Sequence, residues 1–304
     1  METMITLLTP TYNRARLLPR LYESLRRQTY ENFEWVIVDD GSTDGTHNVV
    51  EETARHCPFP IHYHYKENGG KHTAVNKGVR EARGELVFIA DSDDMLLPDS
   101  LQRVADEYAQ VAKDDSFCGV CGLDCDLSGK IIGSGLGQER IDASSLELRF
   151  CHGVTGDMKE VFKTSVLKEF PFPEIPGERF CPEALVWNRI ARKYRLRCFN
   201  QPIYQVEYQE GGLTSNIVQI RMKSPVGTMM TYSEMLDYPI PMREKMKAAL
   251  NFFRFKACMT AEHAHEVGPA IPTVPLAWYW ARPLGLLMHM RDSKMNKLLY
   301  CCYP

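Results

Sequence analysis

Four short apolar runs alternate with segments of helical periodicity in the first 115 residues of the chain. The runs are typical of buried strands and cover residues 5–9, 33–38, 61–65 and 86–90. Between them, apolar residues recur at helical spacing over residues 15–27, 49–54 and 73–82. Strands that alternate with helices in this order predict an α/β fold, in which helices cover both faces of a mostly parallel sheet.

The rest of the chain follows a less regular pattern. Residues 116–225 mix short strands, glycine turns and one helix that starts near Glu183. Residues 242–263 have one apolar helical face and predict a single helix, and an apolar stretch broken by four prolines follows from Gly268. We therefore expect two halves of one domain, residues 1–115 and 116–225, and a C-terminal extension over residues 226–304.

Composition narrows the classes of function. The 304 residues are 44% hydrophobic and 25% charged, which is ordinary for a globular protein, and the net charge of −3 gives no reason to expect nucleic-acid binding. No apolar stretch reaches the roughly 18 residues of a membrane span. The start of the chain lacks the cationic region of a secretion signal. These features favour a cytoplasmic protein.

The ten cysteines are interpreted as free thiols in a reducing compartment, because a chain of this length without a secretion signal seldom carries a disulfide framework. Cys118, Cys121 and Cys125 have part of the spacing of a zinc site. There is no second Cys/His pair at a matching spacing, and the stretch CGVCGLDC has the rhythm of an apolar strand. We expect core residues there, with a zinc site as the alternative.

Polar residues follow each of the first four predicted strands. They are Tyr12 and Asn13, Asp39 and Asp40, residues 68–71, and residues 91–94. In open parallel sheets, ligands bind outside the carboxyl ends of the strands. Asn, Asp and Gly are also common in ordinary turns, so each position has a purely structural alternative. Four coincident strand ends nevertheless favour a binding site.

Asp91 and Asp93 suggest the chemistry of that site. Residues two apart in extended chain point to the same side, about 6.5 Å apart. Two carboxylates on one side suit Mg²⁺ or Mn²⁺, which takes further ligands from water and substrate phosphates. The pair therefore predicts a site for a metal and a diphosphate.

Other phosphate-binding motifs fit less well. The stretch GGKHT has the glycine and lysine of a Walker loop, but Tyr65 stands at its first glycine position and His72 follows the lysine. No G-x-G-x-x-G follows the first strand, which argues against a dinucleotide site. STDGT has Ser42 where an aspartyl phosphatase motif has its nucleophile.

Four motifs together resemble family 2 glycosyltransferases with the GT-A fold. They are TPTYNR, VIVDDGSTDGT, the NGG…NKG stretch from Asn68 to Gly78, and ADSDDMLLPD. The resemblance covers residues 4–110 well and extends more loosely to about residue 220. It implies a bacterial polysaccharide-type enzyme that transfers a hexosyl or hexosaminyl group with inversion. The donor would be a nucleotide-sugar, most often a UDP-sugar, and the acceptor a hydroxyl of a glycan or lipid-linked molecule.

The resemblance also implies roles for individual residues in the nucleotide-sugar-binding half. Pro10 and Tyr12 would line the base pocket. Asp40, together with Asp39, would hydrogen-bond the uracil, and Lys71 would help to hold the nucleotide. Asp91 would lie near the ribose or the metal. Asp93 would be the ligand of Mn²⁺ or Mg²⁺.

The acceptor-binding half resembles the family less closely. Many members have Glu-Asp at the start of a helix, where this chain has Pro182 and Glu183, followed by Arg189. Glu183 would then be the catalytic base. A carboxylate in a first helical turn also stabilises the helix dipole, and this is the alternative. The segment from Gln205 to Ser215 lies where the family often has a loop over the donor.

The sequence leaves two alternative functions and one additional binding partner, a membrane surface, to be considered. A non-catalytic nucleotide-sugar-binding subunit could use the same fold, although Asp93 and Glu183 favour an enzyme. A sugar-1-phosphate nucleotidyltransferase would need a glycine-rich loop after the first strand, and TPTYNRAR has no glycine. Trp278, Tyr279 and nearby residues of the tail predict peripheral contact with the inner face of the plasma membrane, or packing against the body of the protein.

Overall fold

The structure is a computed structural model that describes residues 2–207 and 216–302, with side chains up to residue 294 of the last helix. It contains two compact units, residues 1–171 with 187–208, and residues 172–186 with 209–304. This division rests on spatial contacts and does not test the three-part division predicted from the sequence.

The first unit is built on a nine-stranded sheet. Its strands are β1 (Ile5–Thr11), β2 (Phe33–Asp39), β3 (Ile61–Tyr65), β4 (Leu86–Ile89), β5 (Met95–Leu96), β6 (Phe117–Cys125), β7 (Arg140–Ala143), β8 (Met158–Lys163) and β9 (Arg195–Gln205). The helices that accompany it are α1 (Leu18–Leu25), α2 (Thr46–Arg55), α3 (Lys71–Glu81), α4 (Ser100–Ala109), α5 (Ser145–Phe150) and α6 (Thr164–Glu169). The chain passes from the second unit into the first within α7 (Glu183–Ala191).

The strand order is β3-β2-β1-β4-β8-β6-β9-β5, and β7 pairs with β9. The first four strands are parallel, as the alternating sequence pattern predicts. β8 is antiparallel to both β4 and β6, and β6 is parallel to β9. The carboxyl ends of β2, β1, β4, β6 and β9 and the amino end of β8 therefore lie along one edge of the sheet.

β1 extends two residues beyond the strand predicted over residues 5–9, through Pro10 and Thr11. Thr11 accepts a hydrogen bond from Asp40 N–H on the β2 side, whereas the ladder with β4 stops at Leu8 and Ile89. The Pro10 nitrogen faces the β4 side, where no further ladder bond is required. A proline is tolerated in a strand at such a position, so the strand end predicted at residue 9 was wrong.

The core of the first unit explains the continuous apolar runs. Every residue of β1 and β2 is buried, because helices cover both faces of the sheet. Trp35 is among the largest fully buried side chains, and its indole N–H donates to Thr9 Oγ1 at 2.9 Å. Cys118, Cys121 and Cys125 are buried free thiols in β6, which agrees with the core interpretation.

In its described residues, the second unit is helical apart from the connecting segments. Its helices are α8 (Ile217–Lys223), α9 (Pro225–Met235), α10 (Met242–Lys256), α11 (Ala261–Val267), two 3-10 helices (Gly268–Ala270 and Leu276–Ala281) and α12 (Arg282–Cys302). The single helix predicted over residues 242–263 is wrong. α10 ends at Lys256, and Thr260 caps a new helix by accepting from His263 N–H. No helix in the described ranges is both long and apolar enough to cross a bilayer.

Candidate functional site

The residue that follows β1 offers an exposed ring at the edge of the sheet. Pro10 is buried within the strand, whereas 49% of the Tyr12 surface is exposed. A core tyrosine could not reach a ligand, but an exposed ring can stack on a planar base. The geometry therefore leaves Tyr12 available for the role that the resemblance implies.

Asp40 fastens the loop between β3 and α3 to the end of β2. One of its carboxylate oxygens accepts from Lys66 Nζ at 2.6 Å and from Gly69 N–H at 2.9 Å, and the other accepts from Gly70 N–H at 2.7 Å. Gly70 has a φ of +96°, which a residue with a side chain rarely adopts. Buried Asp40 thus fixes the loop from which α3 begins.

Asp39 has a similar role one residue earlier. Its carboxylate accepts from Ser42 N–H at 2.7 Å and from the Tyr63 hydroxyl at 2.6 Å, and the side chain is buried. Burial, together with this contact to Asp39, raises the pKa of Tyr63. Protein donors already engage the carboxylates of both acids, and the uracil contact stays a prediction.

Asn13 joins the loops that follow β1 and β2. It has a φ of +53°, a left-handed conformation that asparagine tolerates better than most residues. Its side-chain oxygen accepts from Thr43 N–H at 2.8 Å, and its own N–H donates to Ser42 Oγ at 2.8 Å. These bonds hold the DGSTDG loop against the TYNR segment.

Lys71 and Asp91 connect α3 with the end of β4. Lys71 is the first residue of α3, and its Nζ lies 2.6 Å from Asp91 Oδ1. Burial by itself raises the pKa of Asp91, but Lys71 and then Lys159 outweigh burial and hold that pKa below its ordinary value. Asp91 is therefore a carboxylate at neutral pH, and a cation lies at its side.

Asp93 lies beside arginines that the sequence analysis did not single out. Its Oδ2 is 3.9 Å from Arg14 Nη2, and its backbone carbonyl accepts from Arg20 Nη2 at 3.5 Å. Arg20 also forms an ion pair with Glu207, which follows β9. Arg14 belongs to the TPTYNR motif, so the motif could have indicated it. The contacts of Arg20 depend on the tertiary structure.

Asp94, which follows Asp91 and Asp93 in the same loop, is buried. It accepts from Glu207 N–H at 3.1 Å, and Asp91 N–H donates to the Tyr204 hydroxyl at 2.7 Å. Burial, followed by the charge of Asp91, raises the pKa of Asp94 to about 6. The contacts of Asp94 and Tyr204 tie the end of β4 to the end of β9.

Lys159 and Asp124 continue the same edge beyond β4. Lys159 Nζ lies 3.6 Å from the centroid of the Tyr204 ring and donates to the Ile89 carbonyl at 3.2 Å. Asp124 is only 4% exposed, and its Oδ1 has no hydrogen-bond partner among the described residues. Burial raises the pKa of Asp124 to about 6, although Lys159 acts to lower it. A polar residue inside the apolar run CGLDC was the available sequence signal.

Glu183 is the first residue of α7 and is exposed. It belongs to the second compact unit, whereas the strand-end residues belong to the first. Its role as a base stays a prediction. Of the segment Gln205–Ser215 that was expected to cover the donor, residues 208–215 lie outside the described part of the chain.

The acids at the end of β4 fit a divalent cation that keeps much of its own shell. No group of three or more His, Cys, Asp or Glu residues that could hold a metal occurs within residues 2–207 and 216–302. Asp91 and Asp93 can therefore supply carboxylate oxygens but not a full coordination sphere. Mg²⁺ and Mn²⁺ commonly bind one or two carboxylates and take their other ligands from water and phosphates.

Comparison with known proteins agrees with this description. Residues 6–126 match the family model described as glycosyl transferase family 2. A GalNAc(5)-diNAcBac-PP-undecaprenol beta-1,3-glucosyltransferase of Campylobacter jejuni is 29% identical over 200 residues, 62% of this chain and 60% of that enzyme. In three other curated relatives the matched segment spans only 32–40% of the relative's length.

Solved structures with the same fold cover most of the chain. S. aureus TarS 1-349 in complex with UDP-GlcNAc has a TM-score of 0.61 at 17% identity, over 97% of this chain and 92% of that one. The mannosyltransferase PcManGT from Pyrobaculum calidifontis, in complex with GDP-Man and Mn²⁺, has a TM-score of 0.56 at 19% identity, over 97% of this chain and 76% of that one.

The fold is the GT-A fold of these glycosyltransferases, as the sequence predicts. Residues 6–126 match glycosyl transferase family 2, and the chain is similar to curated glycosyltransferases over that region and beyond it.

Proposed function

We propose that this protein is an inverting, metal-dependent glycosyltransferase that moves a sugar from a UDP-sugar to a hydroxyl of a glycan or lipid-linked acceptor. The observation that carries the proposal is the position of Lys71. The loop fixed by Asp40 presents Lys71 beside Asp91, next to Asp93, at the sheet edge where such folds bind ligands.

The donor side follows from this geometry. Tyr12 stacks on the base, Asp39 and Asp40 hold its pocket, and Lys71 faces the diphosphate. The UDP-GlcNAc complex of TarS supports a UDP-sugar, whereas the GDP-Man complex of PcManGT supports the wider class of nucleotide-sugars. In this proposal, residues further along the same edge of the sheet determine which donor sugar is bound.

Asp93, with Asp91, would hold the Mn²⁺ or Mg²⁺ ion. When bound, the ion neutralises charge on the departing diphosphate. Lys71 and Arg14 add fixed positive charge at the same end of β4, so the chain's own residues also favour a diphosphate leaving group.

Glu183 would be the general base. The acceptor hydroxyl loses its proton as it attacks the anomeric carbon, and a carboxylate within about 2.6–3.2 Å of that hydroxyl can accept the proton. Direct attack by the acceptor inverts the configuration at the anomeric carbon and needs no covalent sugar–enzyme intermediate. The lipid-linked name of the C. jejuni relative supports an acceptor of that kind.

A screen of nucleotide-sugars by thermal shift, with Mn²⁺ present, tests the donor class. A ligand that binds only the native state stabilises it by about 2.7 kcal/mol at 100 times its dissociation constant. We expect UDP and one or a few UDP-sugars to raise the melting temperature, with GDP giving a smaller shift. No shift with any nucleotide or nucleotide-sugar would contradict the proposal.

We also propose that the C-terminal extension holds a cytoplasmic protein against the inner face of the plasma membrane. On α12, Gly285 packs against Phe253 of α10, while Leu284 and Leu287 are exposed. The one acidic residue of α12 with a described side chain, Asp292, is buried and pairs with Arg254 at 2.6 Å. The exposed charged residues of α12 with described side chains are therefore cationic, namely Arg282, Arg291 and Lys294, and such a helix suits anionic lipid.

A further inference from the structure

The strand order of the first unit sets a direction along the ligand-binding edge. Tyr12 and Asp40 follow β1 and β2, whereas Lys71 and Asp91 meet at the end of β4. The next strands along the same edge are β8 and β6. In a nucleotide-sugar the base, diphosphate and sugar follow one another. With the base at β1 and β2 and the diphosphate at β4, the sugar lies over β8 and β6.

Two charged side chains occupy that part of the edge. Lys159 is the second residue of β8, and Asp124 is the penultimate residue of β6. Asp124 pairs in register with Tyr204 of β9, and the Lys159 ammonium lies over the Tyr204 ring. The Tyr204 hydroxyl in turn accepts from Asp91 N–H. Asp124 and Lys159 are thus linked through Tyr204 to the end of β4.

Asp124 is exceptional among the acids of this edge. Asp39, Asp40, Asp91 and Asp94 each accept hydrogen bonds or pair with a lysine. Only 4% of the Asp124 surface is exposed, and its Oδ1 accepts from no donor in the described chain. A buried carboxylate oxygen without a donor is costly to the folded protein. A ligand that donates a hydrogen bond to this oxygen would remove that cost.

We propose that Asp124, oriented beside Lys159 and Tyr204, accepts a hydrogen bond from a hydroxyl of the donor sugar and so contributes to donor specificity. This inference rests on the proposed function, because it needs a nucleotide-sugar bound along the edge. A sugar hydroxyl is the fitting donor group, since a diphosphate oxygen carries no proton at neutral pH and a carboxylate would repel it.

The test compares UDP with UDP-glucose, UDP-galactose and UDP-GlcNAc on the full chain, by calorimetry in Mn²⁺. Asp124→Leu removes the acceptor, and Asp124→Asn keeps the size and an acceptor oxygen but loses the charge. We expect Asp124→Leu to weaken the best UDP-sugar by about 10- to 100-fold, the range for a hydrogen bond to a charged group. UDP affinity should stay within about twofold of the wild type. The affinity of Asp124→Asn for the best UDP-sugar should lie between those of the wild type and Asp124→Leu.

Asp106→Asn is the matched control, because Asp106 is an exposed acid on α4. The ligand-free melting temperature gives a second readout. A structural role for Asp124 predicts a lower value in Asp124→Asn, whereas loss of an unsatisfied buried charge predicts an equal or higher one. Equal weakening of UDP and UDP-sugars, or no weakening of either, overturns the inference while the proposed function stands. Failure of the wild-type protein to bind any UDP compound overturns both.

Discussion

The Lys71 ammonium lies 2.6 Å from a carboxylate oxygen of Asp91, so the first residue of α3 meets the end of β4. The pair brings one fixed cation to the acids that would otherwise repel a diphosphate. Lys71 is able to reach this position because Asp40 holds the two residues before α3 through their backbone N–H groups. The second carboxylate of the DDG motif therefore helps to position Lys71 at the end of β4.

Replacing Lys71 by Met should weaken UDP binding about 10- to 100-fold, because it removes a charged hydrogen-bond donor and leaves Asp91 uncompensated. Lys77→Met on the same helix is the control. Its Nζ donates to the Tyr65 carbonyl at 2.9 Å and does not face Asp91. Calorimetry with UDP measures both variants, and equal affinities for UDP would exclude Lys71 from the nucleotide site.

Nucleotide binding should depend on a divalent cation, since Asp91 and Asp93 otherwise repel the diphosphate. We expect UDP affinity in Mn²⁺ to exceed the affinity in EDTA by at least tenfold, as an order-of-magnitude estimate for metal bridging of carboxylate and phosphate. Asp93→Asn should give the EDTA affinity even with Mn²⁺ present. If wild-type protein binds UDP equally in both buffers, the metal role is wrong.

Tyr12→Ala should weaken UDP by about 1–3 kcal/mol, the range for stacking a base on an aromatic ring. The exposed position of Tyr12 predicts that the variant folds normally. Tyr194→Ala is the control, because Tyr194 precedes β9 at the opposite edge of the sheet, where its hydroxyl donates to Glu169 at 2.9 Å. A large loss of thermal stability in Tyr12→Ala, with unchanged UDP affinity, would assign the ring to packing.

Glu183→Gln should lower sugar transfer by about 10²- to 10⁴-fold, the range for removal of a general base, and leave UDP affinity nearly unchanged. If Glu183 only stabilises the dipole of α7, the substitution costs a few tenths to about 1 kcal/mol of stability and turnover stays near normal. Glu262→Gln is a matched control, since Glu262 also occupies a first helical turn, in α11. Turnover and UDP affinity should be measured on the same preparations.

Leu284→Glu combined with Leu287→Glu should abolish flotation of the full chain with vesicles that contain anionic lipid, because charge is placed on the exposed apolar side of α12. Removal of α12 is less informative, since Gly285 packs against Phe253 and truncation would expose the core of the second unit. Leu127→Glu, at an exposed leucine of the first unit, is the control. If the wild-type protein floats with neither anionic nor neutral vesicles and light scattering shows that it self-associates, the exposed side of α12 is a protein interface instead.

The sequence by itself determined the alternating α/β order and the strand-end acids. Helices on both faces bury whole strands, so β1, β2 and β4 are continuous apolar runs, and local turn chemistry marks their carboxyl ends. The same local reasoning failed at Pro10, where the missing donor is harmless because β4 has already ended. It also failed at residues 242–263, where the break between α10 and α11 follows from a cap at Thr260 rather than from periodicity.

Only the tertiary structure decided how the acids differ from one another. Asp39, Asp40, Asp91 and Asp124 are the same residue type at strand ends, but the segments that surround them, many of them remote in sequence, differ. Asp40 holds a glycine loop, Asp91 meets Lys71, and Asp124 has an oxygen without a donor in the described chain. Hydrogen bonding and burial depend on which strands are neighbours, and the antiparallel β8 between β4 and β6 carries no local signal of its place.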